Sequence, residues 1–166
     1  MSVLRRTRRS ITVAAVILAA GAVSTSAAAP ATPWATVNVC DTARHADTVG
    51  VRGSMPGSRA SEGLFMRLRV QYLDAATNRW RYVGARADSG YISVGNGKAT
   101  RRQGGRNFTL RPPASGGGYV LRGIVDFQWR RGSGVVRRAQ RQTRRGHPGT
   151  PGADPSSYSA ETCKVS

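Results

Sequence analysis

Leu64-Phe65-Met66-Arg67-Leu68-Arg69-Val70-Gln71-Tyr72-Leu73 decides the fold. Leu64, Met66, Leu68, Val70 and Tyr72 alternate with Phe65, Arg67, Arg69, Gln71 and Leu73, so an extended chain carries a continuous apolar row on one face and a mostly polar row on the other. No helical period fits as well. Downstream, Tyr119, Leu121, Gly123, Val125, Phe127 and Trp129 alternate in the same way with Val120, Arg122, Ile124, Asp126 and Gln128, which predicts a second long strand and a core centred on the pair.

Shorter runs extend the pattern: Ala35 to Cys40, Val49 to Met55, Arg79 to Val83, Tyr91 to Val94, Asn107 to Leu110 and Gly134 to Thr143. The connections agree. Asp74 to Asn78 and Arg131 to Gly134 read as hairpin loops, and Asn96-Gly97 reads as a type I′ turn ahead of a weak strand at Lys98 to Arg102. Pro112 to Gly118 must be a loop, because proline cannot donate to a ladder and a glycine run costs too much entropy to order as a strand. Residues 144–158, rich in Gly, Pro and Ser, read as a flexible excursion. No internal repeat and no amphipathic helix emerge.

Seven or eight antiparallel strands in so short a chain predict an all-β class and a single Greek-key β-sandwich. Tyr119-Val120-Leu121-Arg122-Gly123 resembles the F strand of fibronectin type III and other immunoglobulin-like domains. The resemblance implies an immunoglobulin-like architecture over residues 34–143, with the Tyr119 hydroxyl capping a backbone group at the strand's corner. It transfers no binding residues. Trp80 does not match the central Trp of antibody domains, and a pairing of Cys40 with Cys163 would link the chain ends, unlike the disulfide of antibody domains. As a whole, the chain resembles small secreted proteins of high-GC bacteria.

The first residues concern export. Four Arg and no acid lie between Met1 and Arg9, Ile11 to Val23 is apolar, and Ser24 to Ala29 is small and polar. These are the three regions of a secretory signal peptide, expected at 1–29, with the domain at 30–166 and a mature start at Ala28 or Ala29. The apolar run is short against the roughly 20 residues that span a hydrocarbon core. An uncleaved anchor that also recruits Ser24 to Ala29 is the rival. Thr7-Arg8-Arg9-Ser10-Ile11 resembles part of a twin-arginine signal, although Thr12 departs from that pattern. The expected location is the exterior or cell envelope of a bacterium, with no transmembrane segment after processing.

Export would carry Cys40 and Cys163, the two cysteines, into an oxidising compartment, where a disulfide between them is the natural reading. A metal is not expected, since there is no CxxC and only His45 and His147 could assist. Nor is a cofactor or a catalytic residue. Asp41, His45 and Asp47 read as polar loop residues because no Gly-x-Ser-x-Gly elbow accompanies them. Gly95 to Thr100 lacks the spacing of a phosphate loop, and scattered acids give a paired-carboxylate glycosidase little support.

The chain holds 26 Lys+Arg against 8 Asp+Glu, and losing the leader removes four basic residues and no acidic one, so the excess belongs to the domain. Nearly all of it is Arg. Arg101, Arg102 and Arg106 fall in an expected connection, while Arg130, Arg131, Arg137, Arg138 and Arg141 fill the last hairpin and form the candidate anion-binding surface. Genome composition and protection of an edge strand are the competing explanations. The functional expectation is a secreted, non-enzymatic module that binds an anionic cell-envelope polymer, with no specific nucleic acid partner. A protein-interaction or inhibitor module that contacts another exported protein is the alternative, and a hydrolase a distant third.

Overall fold

The computed structural model describes residues 31–112 and 116–166. The expected leader at 1–29 lies outside them. Nine strands follow in chain order: β1 (Trp34–Thr42), β2 (His45–Pro56), β3 (Gly63–Asp74), β4 (Arg79–Tyr82), β5 (Asp88–Asn96), β6 (Arg101–Thr109), β7 (Tyr119–Arg131), β8 (Gly134–Gln142) and β9 (Cys163–Val165). A single 3-10 turn, Ala85–Ala87, precedes β5.

The two long alternating runs become β3 and β7, paired antiparallel from Leu64 opposite Trp129 to Tyr72 opposite Leu121. That register stacks Leu64, Met66 and Leu68 beside Trp129, Phe127 and Val125 on one fully buried face. Each such side chain contributes about 1.5 to 3 kcal/mol by leaving water. Both strands outrun a single neighbour. The far edge of β3 takes β5 and β4 end to end, and the far edge of β7 takes β8 and β9, giving a six-stranded antiparallel sheet.

A three-stranded antiparallel sheet of order β1-β2-β6 supplies Val37, Val49, Val51, Met55 and Phe108 to the same core. The approach is close enough that a Cβ built on Gly123 of β7 would lie 2.6 Å from Val51 Cγ1 of β2. Trp129 is wholly buried yet its indole N–H donates to Pro56 O at 3.1 Å, so the largest core side chain carries no orphaned polar group. Cys40 and Cys163 are bonded, with Cα atoms 5.4 Å apart. Because Cys40 sits on β1 and Cys163 on β9, the bridge crosses from one sheet to the other.

Three sequence expectations need correction. Asp41 lies on β1 and His45 and Asp47 on β2, so they belong to the paired strands and not to a loop, the turn between them being Ala43 and Arg44 alone. Arg101, Arg102 and Arg106 lie on β6, not in a connection. The strand is hidden in the sequence by Gly104 and Gly105, which favour no ladder but are required by crowding: a Cβ on Gly104 would stand 2.7 Å from Val94 Cγ1, and one on Gly105 would stand 2.9 Å from Arg52 Nε. Asn96-Gly97 is not a type I′ turn, since neither residue has the positive φ that turn needs. Gly97 instead donates to Glu62 O at 2.8 Å and accepts from Ser58 N at 2.9 Å, and it must be glycine because its Cβ would meet Arg59 O at 2.3 Å.

Residues 144–160 leave the ladder and run beside β1. Arg144 N donates to Ala35 O at 2.8 Å, Asp154 N donates to Asn38 O at 2.9 Å, and Val37 and Ala160 exchange two backbone bonds. Thr36 Oγ1 meets Ser159 Oγ at 2.7 Å. The polar side chains Thr36 and Asn38 are thereby buried with partners.

Candidate functional site

The expected Arg surface lies on the β7–β8 hairpin, and alternation divides its members. Arg138 is opposite Gln128, on the outer face of the six-stranded sheet, while Arg137 and Arg141 are opposite Trp129 and Val125, on the side that faces the core. An irregularity between Trp129 and Arg130 breaks the register there. Arg130 turns outward and lies over the rings of Phe65 at 4.2 Å and Tyr91 at 5.0 Å. Arg131 pairs with Glu62 Oε1 at 2.7 Å. Arg137 covers the Trp129 ring at 4.3 Å, and Arg141 donates Nε to Pro33 O at 3.2 Å.

The outer face holds more guanidinium than the hairpin alone. Arg122 lies over Trp80 at 4.2 Å and Arg69 over Tyr82 at 4.4 Å, in the manner of Arg130 over Phe65. Register explains the repetition. Gln71 of β3 is opposite Tyr82 of β4 on one edge and Arg122 of β7 on the other, and Arg67 is opposite Tyr91 of β5 and Asp126 of β7, so basic and aromatic side chains of four strands share the face.

Two of these cations are neutralised locally. Arg67 forms a bidentate pair with Asp88, whose carboxyl is held below its usual range chiefly by the hydrogen bonds from Arg67. Arg69 pairs with Asp126 at 2.6 Å, and Asp126 also accepts from Gln140 at 2.6 Å. Arg122 binds only amide oxygens, Gln71 Oε1 at 2.9 Å and Gln142 Oε1 at 3.2 Å, and burial lowers its pKa. Arg130 binds Gln128 Oε1 at 2.8 Å. Among the described residues, Arg122, Arg130 and Arg138 make no ion pair. The result is a sheet face with three guanidiniums outside any ion pair, two of them held in place by ring stacking and neutral amides, and with the charge of Glu161 acting on Arg122.

This face escaped the sequence reading because its pairs are remote: Arg130 and Phe65 meet only through the β3–β7 register. The signal available was Trp80 and Tyr82, aromatic residues two apart beside Arg79 and Arg81. Other residues singled out have structural uses. Asp41 Oδ1 accepts from Asp47 N at 2.8 Å and its Oδ2 from Ser166 N at 3.2 Å, closing the β1–β2 hairpin onto the chain end. His45 lies 4.0 Å from Asp154. Tyr119 meets Tyr72 edge-on at 6.3 Å, and among the described residues its hydroxyl makes no hydrogen bond, so the expected corner cap is not seen there. No family model matches the chain, and no curated protein matches it either.

Proposed function

We propose that the protein is a secreted, non-enzymatic binding module that takes an anionic cell-envelope polymer across the outer face of its six-stranded sheet. The observation that carries this reading is the set of three guanidiniums outside any ion pair, Arg122, Arg130 and Arg138, on one face of the sheet beside Trp80, Tyr82 and Tyr91. Tyr82 and Tyr91 are 45% and 37% exposed, so rings and charges are offered to the same ligand. A guanidinium fixed flat on a ring still presents its edge donors, and fixing it beforehand lowers the ordering cost of binding. The surface is therefore displaced from the hairpin edge that the Arg run suggests onto the sheet face beside it.

Secretion is supported by the Cys40–Cys163 bond and by the charge and hydropathy pattern of 1–29. The finer fold reading is an immunoglobulin-like Greek-key sandwich. Strand order β1-β2-β6 against β4/β5-β3-β7-β8 supports it, since it parallels A-B-E against C′-C-F-G. A protein-interaction role is the second reading, and β8 favours it: the strand is a sheet edge with Val136 49% exposed.

The test compares wild type with a variant carrying Arg122→Gln, Arg130→Gln and Arg138→Gln, binding a purified bacterial anionic wall polymer at two salt concentrations. The slope of log affinity against log salt should shrink by roughly one unit per lost contact. Equal affinity and slope in both proteins overturn the proposal.

A further inference from the structure

A second basic feature lies around the β8 edge from that face. Where the start of β1 approaches the end of β8, an open groove of about 450 Å³ is bordered by Pro33, Trp34, Arg141, Arg144 and His147. Its size suits one or two sugar units. The Trp34 and His147 rings stack at 4.2 Å with planes 5° apart, giving a rigid aromatic wall.

The cations are positioned by the backbone. Arg141 donates Nε to Pro33 O at 3.2 Å and one terminal nitrogen to Gln140 O at 2.7 Å, which leaves its other terminal nitrogen free of described partners. Arg144 is held at the groove by its own N–H bond to Ala35 O at 2.8 Å, while its side chain is exposed. Arg101 reaches the same end of the molecule, donating to Ser54 Oγ and Thr32 O, both at 3.0 Å. No carboxylate borders the groove, and none of the three Arg makes an ion pair among the described residues. Gln140 and Gln142 direct their amides to Asp126 and Arg122 on the outer face, so β8 carries the groove on one side and the face on the other.

We infer that this groove is a distinct site for one anionic sugar unit, its carboxylate or phosphate held by Arg141 and Arg144 and its ring set beside the Trp34–His147 stack. Two guanidiniums with no acid between them match an oxyanion, and an aromatic wall next to them matches the apolar face of a pyranose better than it matches a free inorganic ion. The inference stands on different residues from the proposed polymer face and does not require it.

Calorimetry at fixed ionic strength, with trigalacturonate, glucose 6-phosphate and neutral maltotriose as probes, tests it. An Arg141→Gln, Arg144→Gln variant should lose at least tenfold in affinity for the acidic probe that binds, while an Arg44→Gln variant, altered in the β1–β2 turn away from both surfaces, stays within twofold of wild type. Trigalacturonate against glucose 6-phosphate tells carboxylate from phosphate. Trp34→Phe, which keeps a ring but removes the indole, should abolish the change in tryptophan emission on binding and keeps the test usable if the Arg variant does not fold. Equal binding of maltotriose, binding of neither acid, or an equal loss in the Arg44 and groove variants overturns the groove.

Discussion

Gly123→Ala should be among the most damaging single-methyl additions to this protein. The residue lies in the middle of β7, opposite Val70, and its backbone exchanges two bonds with Thr143, N–H to Thr143 Oγ1 at 3.0 Å and C=O from Thr143 N at 2.9 Å. A Cβ there would meet Val51 Cγ1 at 2.6 Å, Thr143 Cγ2 at 2.7 Å and Val51 Cγ2 at 2.8 Å. Val51 is wholly buried and branched at Cβ, so rotation cannot relieve the clash, and Thr143 is fixed by the bonds just named. Something must move by about an ångström, at a cost of about 2 to 3 kcal/mol for overpacking of this kind. In a domain of this size that lowers Tm by roughly 6 to 10 °C. Calorimetric melting of Gly123→Ala beside Gly134→Ala is the assay, because a Cβ on Gly134 meets nothing nearer than Arg131 O at 3.5 Å and should stay within about 0.5 kcal/mol of wild type. Val51→Ala should partly rescue, so the double variant loses less than the two single losses added together. A Gly123→Ala protein as stable as wild type, or strict additivity with Val51→Ala, would refute the close approach of β7 to β2.

Reducing the Cys40–Cys163 bond, or replacing both residues with Ala, frees a loop spanning 123 positions and should cost up to about 4 to 5 kcal/mol in the chain-entropy account. Urea titration with and without reductant reads it, and coincident curves would contradict it. Burial, and secondarily the charge of Arg101, holds the His147 pKa below its ordinary value, so the unfolded chain takes up the proton first as pH falls. Stability from this group is therefore present above the ordinary histidine pKa and declines as pH drops through it. His147→Gln should flatten the melting profile over that range, and an unchanged profile would show that His147 does not contribute.

The central strands were legible because one wholly buried face imposes a period of two, and Leu64, Met66, Leu68 and Val70 with Leu121, Val125, Phe127 and Trp129 carry it in the sequence, although Gln71, Ile124 and Gln128 on the outer face are buried as well. β6 was only half visible, since Gly104 and Gly105 remove the side chains that would carry the period, and their reason is the proximity of Val94 and Arg52, which is tertiary. β9 has only three residues, too few for any period to register. The outer face was hidden for a related cause. Arg122 over Trp80 and Arg130 over Phe65 are pairs across strand registers, and the sequence displays composition along one strand at a time. Reading Arg130 to Arg141 as one edge grouped residues that alternation then sent to opposite sides.

The binding claim is tested most directly by following the arginine Nε–Hε resonances of the labelled protein as fragments of an anionic wall polymer are titrated in. Saturable shifts should be largest at Arg122, Arg130 and Arg138 and negligible at Arg44 by the β1–β2 hairpin. They should also shrink as salt rises, in proportion to the counterions released. Shifts spread evenly over all exposed arginines, or confined to residues away from the outer face, would contradict the account.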